Sequence, residues 1–356
     1  MRKFLLFFLP VLFIASSCDP DTVADDDNPS VDFDRREMLA GWVDNVIVPG
    51  YADLEDRLAD LVVATRSFST EPSAERLENL RMAYRTAYLE YQNMAPLLIG
   101  RAEELRLREQ LNTYPTDAEQ ITTNLRDEAV NLALPSNADA QGFPALDYLL
   151  FGVDPVVYQA GEDANAYRNY LVVLVVRMAE LTDAAAAEWT AEQREAFIAN
   201  DGNSATASID RTVNDYIFYY EKFLRAGKVG IPAGVFSDDP LPGRAEAPYS
   251  GLSPELFAAS LAASRRFFLN HGLADYLDAM TAQRSGEPLS SAIRGQFDAA
   301  RAAFEATTLP FDEQVRTDNI RMLELYNELQ RNVILLKVDM LQALSINVDY
   351  VDADGD

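Results

Sequence analysis

Gln141-Gly142-Phe143-Pro144-Ala145-Leu146-Asp147-Tyr148-Leu149-Leu150-Phe151-Gly152 is the least generic stretch of this chain. It follows a polar run from Ser136 to Gln141, and its first half reads as a turn. Gly142 is a flexible entry, and Pro144 suits a first helical position, where a missing N–H costs nothing. Leu146, Leu149 and Leu150 then recur at helical spacing, and Gly152 ends the segment. Asp147 therefore falls inside a short, buried, apolar helix. A carboxylate held there needs a hydrogen-bond partner, a counter-charge or a metal, because burying it alone costs several kcal/mol. Backbone N–H groups, or an arginine such as Arg81, Arg85 or Arg168, would satisfy it structurally.

Outward from this stretch the spacing predicts helix after helix and no convincing strand. Met38, Trp42 and Val46 start a stripe that Pro49-Gly50 interrupts, and Tyr51, Leu54, Leu58, Leu61 and Val62 resume it, so the helix is kinked or broken at Pro49. Ser73 caps a helix whose inner face carries Leu77, Leu80, Tyr84, Ala87, Tyr88 and Tyr91. Thr116 with Glu119, and Thr190 with Gln193, read as capping boxes. An apolar helix runs from about Ala164 to Trp189, and Asp201-Gly202-Asn203 marks a break. Val213, Ile217, Tyr220 and Leu224 share one face, and the run Tyr216 to Tyr220 reads as core. Gly227 to Gly234 is rich in breakers and reads as a loop. Ser253-Pro254-Glu255 opens a further helix with Ser253 as cap, and long helices follow at about 288–307 and 312–345. The organisation is a signal segment at 1–17, an acidic disordered tether at 18–34, and helical bundles at 35–201 and 202–356.

Arg2 and Lys3 followed by the apolar run Phe4 to Ile14 have the form of a signal peptide, too short to span a bilayer. Ala15-Ser16-Ser17-Cys18 completes a lipobox-like site. Cys18 is the single cysteine, so no disulfide forms within the chain and Cys18 reads as a lipidated N-terminal residue. The reading is a bacterial lipoprotein of the cell envelope, held by acyl chains and assigned to the outer membrane on its periplasmic face or at the cell surface. Residues 19–34, with Asp25-Asp26-Asp27 at their centre, are too polar to bury a core.

The formal charge of −27 excludes ordinary nucleic-acid binding, since no basic stripe is present to neutralise phosphates. His271 is the one histidine, so paired-histidine zinc sites and two-histidine iron triads cannot be built within one chain. It stands at a helix C-terminus before Gly272, where the helix dipole would favour its charged form. Asp349 to Asp356 has the look of a calcium loop but lacks the downstream bidentate Glu, and reads as an acidic tail.

The opening stretch resembles the signature of the imelysin family, Gly-x-His-x-x-Glu followed by Tyr-Leu-Leu-Phe/Tyr-Gly. Gly142 matches the glycine, Pro144 stands at the histidine, Asp147 stands at the glutamate, and Tyr148 to Gly152 match. Val46 to Tyr51 resembles the family's opening helix. Asn112 to Glu119 resembles its Trp-Pro-x-Asp segment with Tyr114 for Trp, and Gly227 to Gly234 and Glu246 to Ser250 resemble two further segments. The resemblance covers about 37–356. It implies an all-α fold of two helical bundles. It also implies a metallopeptidase classification, in which the motif His and Glu were the supposed metal ligands, and a link to iron uptake.

Pro144 has no ligand atom, and Asp147 is one methylene shorter than the glutamate, which displaces its oxygens from a metal position. The reading is therefore a binding protein rather than an enzyme, with a divergent metallopeptidase as the alternative. Gly142, Asp147 and Tyr148, with Tyr114, Asp117, Glu221, Lys228, Glu246, Tyr249 and Ser250, lie in the family-like segments and are expected to meet at an inter-domain cleft. Carboxylates and phenols are hard oxygen donors. Iron or an iron-containing compound is the ligand the resemblance implies, with Asp147 as candidate metal ligand. A third reading is a module that binds a protein partner of an outer-membrane uptake system.

Overall fold

A computed structural model describes residues 33–127, 130–159, 161 and 163–350. The signal segment, Cys18, the acidic run to Asp32 and the last residues, 351–356, lie outside the described residues.

Asp34 caps α1 (Arg35–Trp42) by accepting the Glu37 N–H. A π segment, Val43–Ile47, then leads without interruption into α2 (Val48–Thr70), where Pro49 occupies the first turn. The break expected at Pro49 is thus a widened turn before it: the Val48 N–H reaches back five residues to the Val43 carbonyl, and Pro49, which has no N–H to donate, follows where the ladder is already spread. Ser73 caps α3 (Ala74–Met94) through the Arg76 N–H. Short helices follow: α4 (Arg101–Glu104), α5 (Leu107–Asn112), α6 (Ala118–Asn124) and α7 (Gly142–Asp147), the last continuing as a π segment, Tyr148–Gly152. Asp117, not Thr116, caps α6. Its carboxylate accepts the Glu119 and Gln120 N–H groups at 2.9 Å, while Thr116 donates to the Asp139 carbonyl. Pro144 is the third residue of α7, which begins at Gly142, so it lies in the first turn but two positions after the first helical position expected.

The apolar α8 (Ala164–Ala186) and α9 (Ala191–Ala199), capped by Thr190 as expected, complete the first half. Helix α10 (Ser208–Phe218) runs into a long π segment, Tyr219–Gly230, and then α11 (Ile231–Ala233). The breaker-rich run read as a loop is therefore mostly wide-turned helix. Its glycines serve close packing: a Cβ on Gly230 would stand 2.7 Å from the Phe236 ring and 2.8 Å from that of Tyr326. Helix α12 (Ser253–Asn270) is capped by Leu252, one residue earlier than expected, and Ser253 Oγ instead accepts the Phe311 N–H. Then come α13 (Leu273–Ala279), a two-residue hairpin pairing Gln283–Arg284 with Glu287–Pro288, α14 (Leu289–Glu305), α15 (Phe311–Val333), a π segment Ile334–Met340, and α16 (Leu341–Leu344).

The fold is all-α. In the first half α2 packs on both α3 and α8; in the second, α15 packs on α14 and on the Tyr219–Gly230 segment, and α12 crosses to α3. The inner faces are those the spacing marked: Leu54, Leu58 and Leu61 of α2, Leu77, Leu80, Tyr84, Ala87, Tyr88 and Tyr91 of α3, and Tyr216, Ile217, Tyr219 and Tyr220 are all buried. Each such aliphatic side chain stabilises the fold by roughly 1.5–3 kcal/mol. No helix among the described residues is long and apolar enough to cross a membrane.

His271 follows α12, and its carbonyl accepts the Trp42 indole N–H at 2.7 Å. Its imidazole is held below the ordinary histidine range by burial and by the nearby Arg266 charge. The helix-terminus preference for its charged form, expected from the sequence, is overridden by loss of water.

Candidate functional site

Gly142 begins α7 at φ +71°, and a Cβ there would stand 2.3 Å from the Leu111 carbonyl oxygen. Only glycine lets α7 lie this close to α5. Phe143 then stacks on Tyr88 of α3, with centroids 4.4 Å apart and rings nearly parallel. One turn on, Asp147 is fully buried.

Among the described residues neither a metal set nor an arginine meets Asp147. Its Oδ2 accepts the Tyr249 backbone N–H at 2.9 Å, and Oδ1 accepts the Ser250 backbone N–H at 3.1 Å and the Tyr84 hydroxyl at 3.3 Å. Burial pushes its carboxyl up to about 6, with the bonds from Ser250, Tyr249 and Tyr84 opposing the rise. The candidate arginines are engaged elsewhere: Arg81 donates to the Leu150 carbonyl, Arg85 pairs with Glu255, and Arg168 donates to the Tyr158 carbonyl and Asn165. Tyr148 and Tyr249 meet edge to face at 5.3 Å beside this bond set, and Tyr249 is 45% exposed.

Glu246, three residues before Tyr249, is the second buried carboxylate of the region. Its Oε2 forms an ion pair with the Lys228 ammonium, and both side chains are buried. Its Oε1 accepts from Asn112 Nδ2 at 2.8 Å, Tyr88 Oη at 3.0 Å and Gln92 Nε2 at 3.4 Å. Burial holds Lys228 below the ordinary lysine range, against the pull of Glu246. Tyr114 lies alongside, its hydroxyl 3.0 Å from where a Gly227 Cβ would stand, and burial with the Glu246 charge raises its phenol well above its ordinary value. Gly227 is thus a contact position for Tyr114.

The other expected residues fall outside this seam. Asp117 is consumed as the α6 cap. Glu221 belongs to a separate cluster with Lys222 at 2.8 Å, Lys337 at 2.7 Å and the Tyr350 hydroxyl at 2.9 Å. Burial alone would raise Glu221; the bonds from Lys222, Lys337 and Tyr350 outweigh it and hold the carboxyl below its ordinary range. Sequence reading placed Tyr84 and Tyr88 in the core and passed over Gln92 and Asn112. The available signal was a phenol at two successive turns of α3, each able to donate to a buried acid.

This donor set bears on the expectation of a metal on Asp147. Among the described residues no three His, Cys, Asp or Glu side chains converge on a common point. Both Asp147 oxygens face N–H dipoles, whose positive ends oppose a cation. The site does not fit the zinc-type centre that the family's classification implies. Asp147, Glu246 and Lys228 are engaged in bonds within the protein and together tie the loop 246–250 and the Tyr219–Gly230 segment to α3, α5 and α7.

An all-α scaffold with a Gly-entered helix, a buried acid and a Tyr-Leu-Leu-Phe-Gly π turn defines a recognisable class. The family model described as imelysin, peptidase M75, matches residues 47–335, and the chain belongs to that family. Iron-regulated protein A of Synechococcus elongatus is 24% identical over 155 residues, 43% of this chain; the match spans only 40% of that relative's length. Two crystal structures share the fold. A putative iron-regulated protein A precursor from Parabacteroides distasonis has TM-score 0.70 and 18% identity over 86% of this chain and 95% of its own. An imelysin-like protein from Psychrobacter arcticum has TM-score 0.71 and 17% identity over 89% and 97%.

Proposed function

We propose that this imelysin family member is a non-catalytic lipoprotein of an iron-responsive envelope system, anchored through Cys18 to the outer membrane and acting by binding a protein partner of that system. The observation that carries the non-catalytic reading is local. Pro144 offers no proton or lone pair at the family's histidine position, and both Asp147 oxygens are occupied by the Tyr249 and Ser250 N–H groups. A general base must reach a substrate proton, and this carboxylate reaches only its own backbone. The link to iron rests on two relatives that carry iron regulation in their names. Direct ligation of iron by Asp147 is disfavoured by the donors around it.

The test is cleavage of unfolded casein by the purified protein, with and without chelator, beside Asp147→Ala. No cleavage above background is expected from either protein. Chelator-sensitive cleavage by the wild type, absent in the variant, would overturn the reading.

A further inference from the structure

Helix α16 is closed by Ser345, which turns into the left-handed region at φ +57° while the Ser345 and Ile346 N–H groups bond back to the Gln342 and Leu341 carbonyls. Such a closure ends a helix and redirects the chain. Residues 346–350, which follow it, are neither helix nor strand. They form a strap with a cavity on either side. Asp349 and Tyr350 line one of about 240 Å³, and Ile346, Asn347 and Val348 line one of about 570 Å³. Ile346 is buried and anchors the strap, whereas Asn347, Val348 and Asp349 are exposed.

Asn214 of α10 clamps the strap's backbone, donating Nδ2 to the Asn347 carbonyl at 3.0 Å and accepting the Asp349 N–H at 3.3 Å. Donor and acceptor together meet an extended backbone as a neighbouring strand would. Tyr350 is the latch. Its ring meets Phe218 edge to face at 5.1 Å, the Lys337 and Lys222 ammonium groups stand 5.0 and 5.9 Å from its centroid, and its hydroxyl donates to Glu221 at 2.9 Å. One clamp and one ring thus hold the strap, with little burial between them, and an element held in this way belongs to the low-stability end of a fold. The surface beneath it is built for an extended chain. Glu221 stands 2.8 Å from Lys222, 2.7 Å from Lys337 and 3.6 Å from Arg225, one carboxylate against three cations. In a chain of net charge −27, that local surplus of positive charge favours an acidic segment, and the strap itself carries Asp349 beside its tyrosine.

We propose that the strap is an internal pseudo-ligand: the groove beneath residues 347–350 is a docking site for an extended, acidic, tyrosine-bearing segment of a protein partner, and the strap occupies it until such a segment displaces it. This takes up the partner-binding reading above and names the kind of segment recognised. A tethered competitor acts at an effective concentration in the millimolar range, so the intact protein binds the partner segment weakly until the latch is released. The probe is a fluorescein-labelled, amidated peptide with the sequence Ile346 to Tyr350, titrated with the full-length protein in detergent and followed by fluorescence polarisation. Tyr350→Ala removes the latch and is expected to bind the peptide about tenfold or more tightly than wild type, as the loss of a hydrogen bond to a charged group and of two ring–ammonium contacts from the competing strap implies. Asp349→Pro removes the N–H that Asn214 accepts and is expected to act in the same direction, which keeps the measurement informative should the first variant fold poorly. The same peptide carrying Tyr350→Ala is expected to bind at least tenfold more weakly to either variant. Equal affinity of wild type and both variants, absence of saturable binding by the variants, or equal binding of the two peptides overturns the proposal. Casein cleavage does not depend on the strap, so the non-catalytic reading and this site fail separately.

Discussion

Replacing Lys228 with Met is expected to destabilise the protein by roughly 3–5 kcal/mol, the loss seen when one member of a buried ion pair is removed. The effect is large because Glu246, 1% exposed, would lose its counter-charge and be left with neutral donors: Tyr88, Asn112 and Gln92. Hydrogen bonds from neutral groups soften that charge but do not cancel it. The double variant Lys228→Met/Glu246→Gln removes both charges and is expected to recover most of the loss, since an apolar or neutral replacement of a whole buried pair is often nearly neutral. Urea denaturation at neutral pH measures both. A single-variant loss below about 1 kcal/mol, the scale of an exposed pair, would mean that water reaches Glu246 and that the seam opens in solution.

Asp147→Ala is expected to lower stability by on the order of 3 kcal/mol near pH 5, because the Tyr249 and Ser250 N–H groups lose their acceptor inside the protein. The pH dependence has a definite sign. The carboxyl titrates at about 6 in the folded protein against an ordinary 3.8, so between those values the folded form holds more protons than the unfolded chain. The stability this group contributes is complete below pH 3.8 and declines as pH rises through 6. The shift corresponds to about 3 kcal/mol across the window. The gap between wild type and variant should therefore narrow from pH 4.5 to pH 7.5 in paired urea melts. A gap that widens with pH would show that hydrogen bonding outweighs burial at Asp147 and holds its carboxyl low.

Both predictions rest on contacts of different legibility. That Asp147 is buried, and in need of partners, was readable from Leu146, Leu149 and Leu150 around it. That the partners are the N–H groups of residues more than a hundred positions away was not, because backbone donors carry no side-chain signature. The helices themselves were legible wherever an apolar stripe or a cap marked them, as at Ser73 and Thr190. The π segments were not: a widened turn is set by how the chain must rotate to fit its neighbours, and Val43–Ile47 and Tyr219–Gly230 look like ordinary helix or loop in one dimension. Gly227 and Gly230 were misread for a related reason. Glycine marks a turn when its backbone freedom is used, but here its missing Cβ is used, to admit Tyr114 at one position and Phe236 with Tyr326 at the other. At Thr116-Asp117 two residues competed for one cap, and the carboxylate, which holds two N–H groups at once, took it.

Asp147 acts as a joint, holding the loop 246–250 to α7 through the Tyr249 and Ser250 N–H groups. Iron titration of the full-length protein in detergent, comparing wild type with Asp147→Asn by metal content after desalting, tests it most directly. Neither protein is expected to retain iron in proportion to chain. One equivalent of iron held by the wild type and lost from the variant would contradict the account and return Asp147 to the role of ligand.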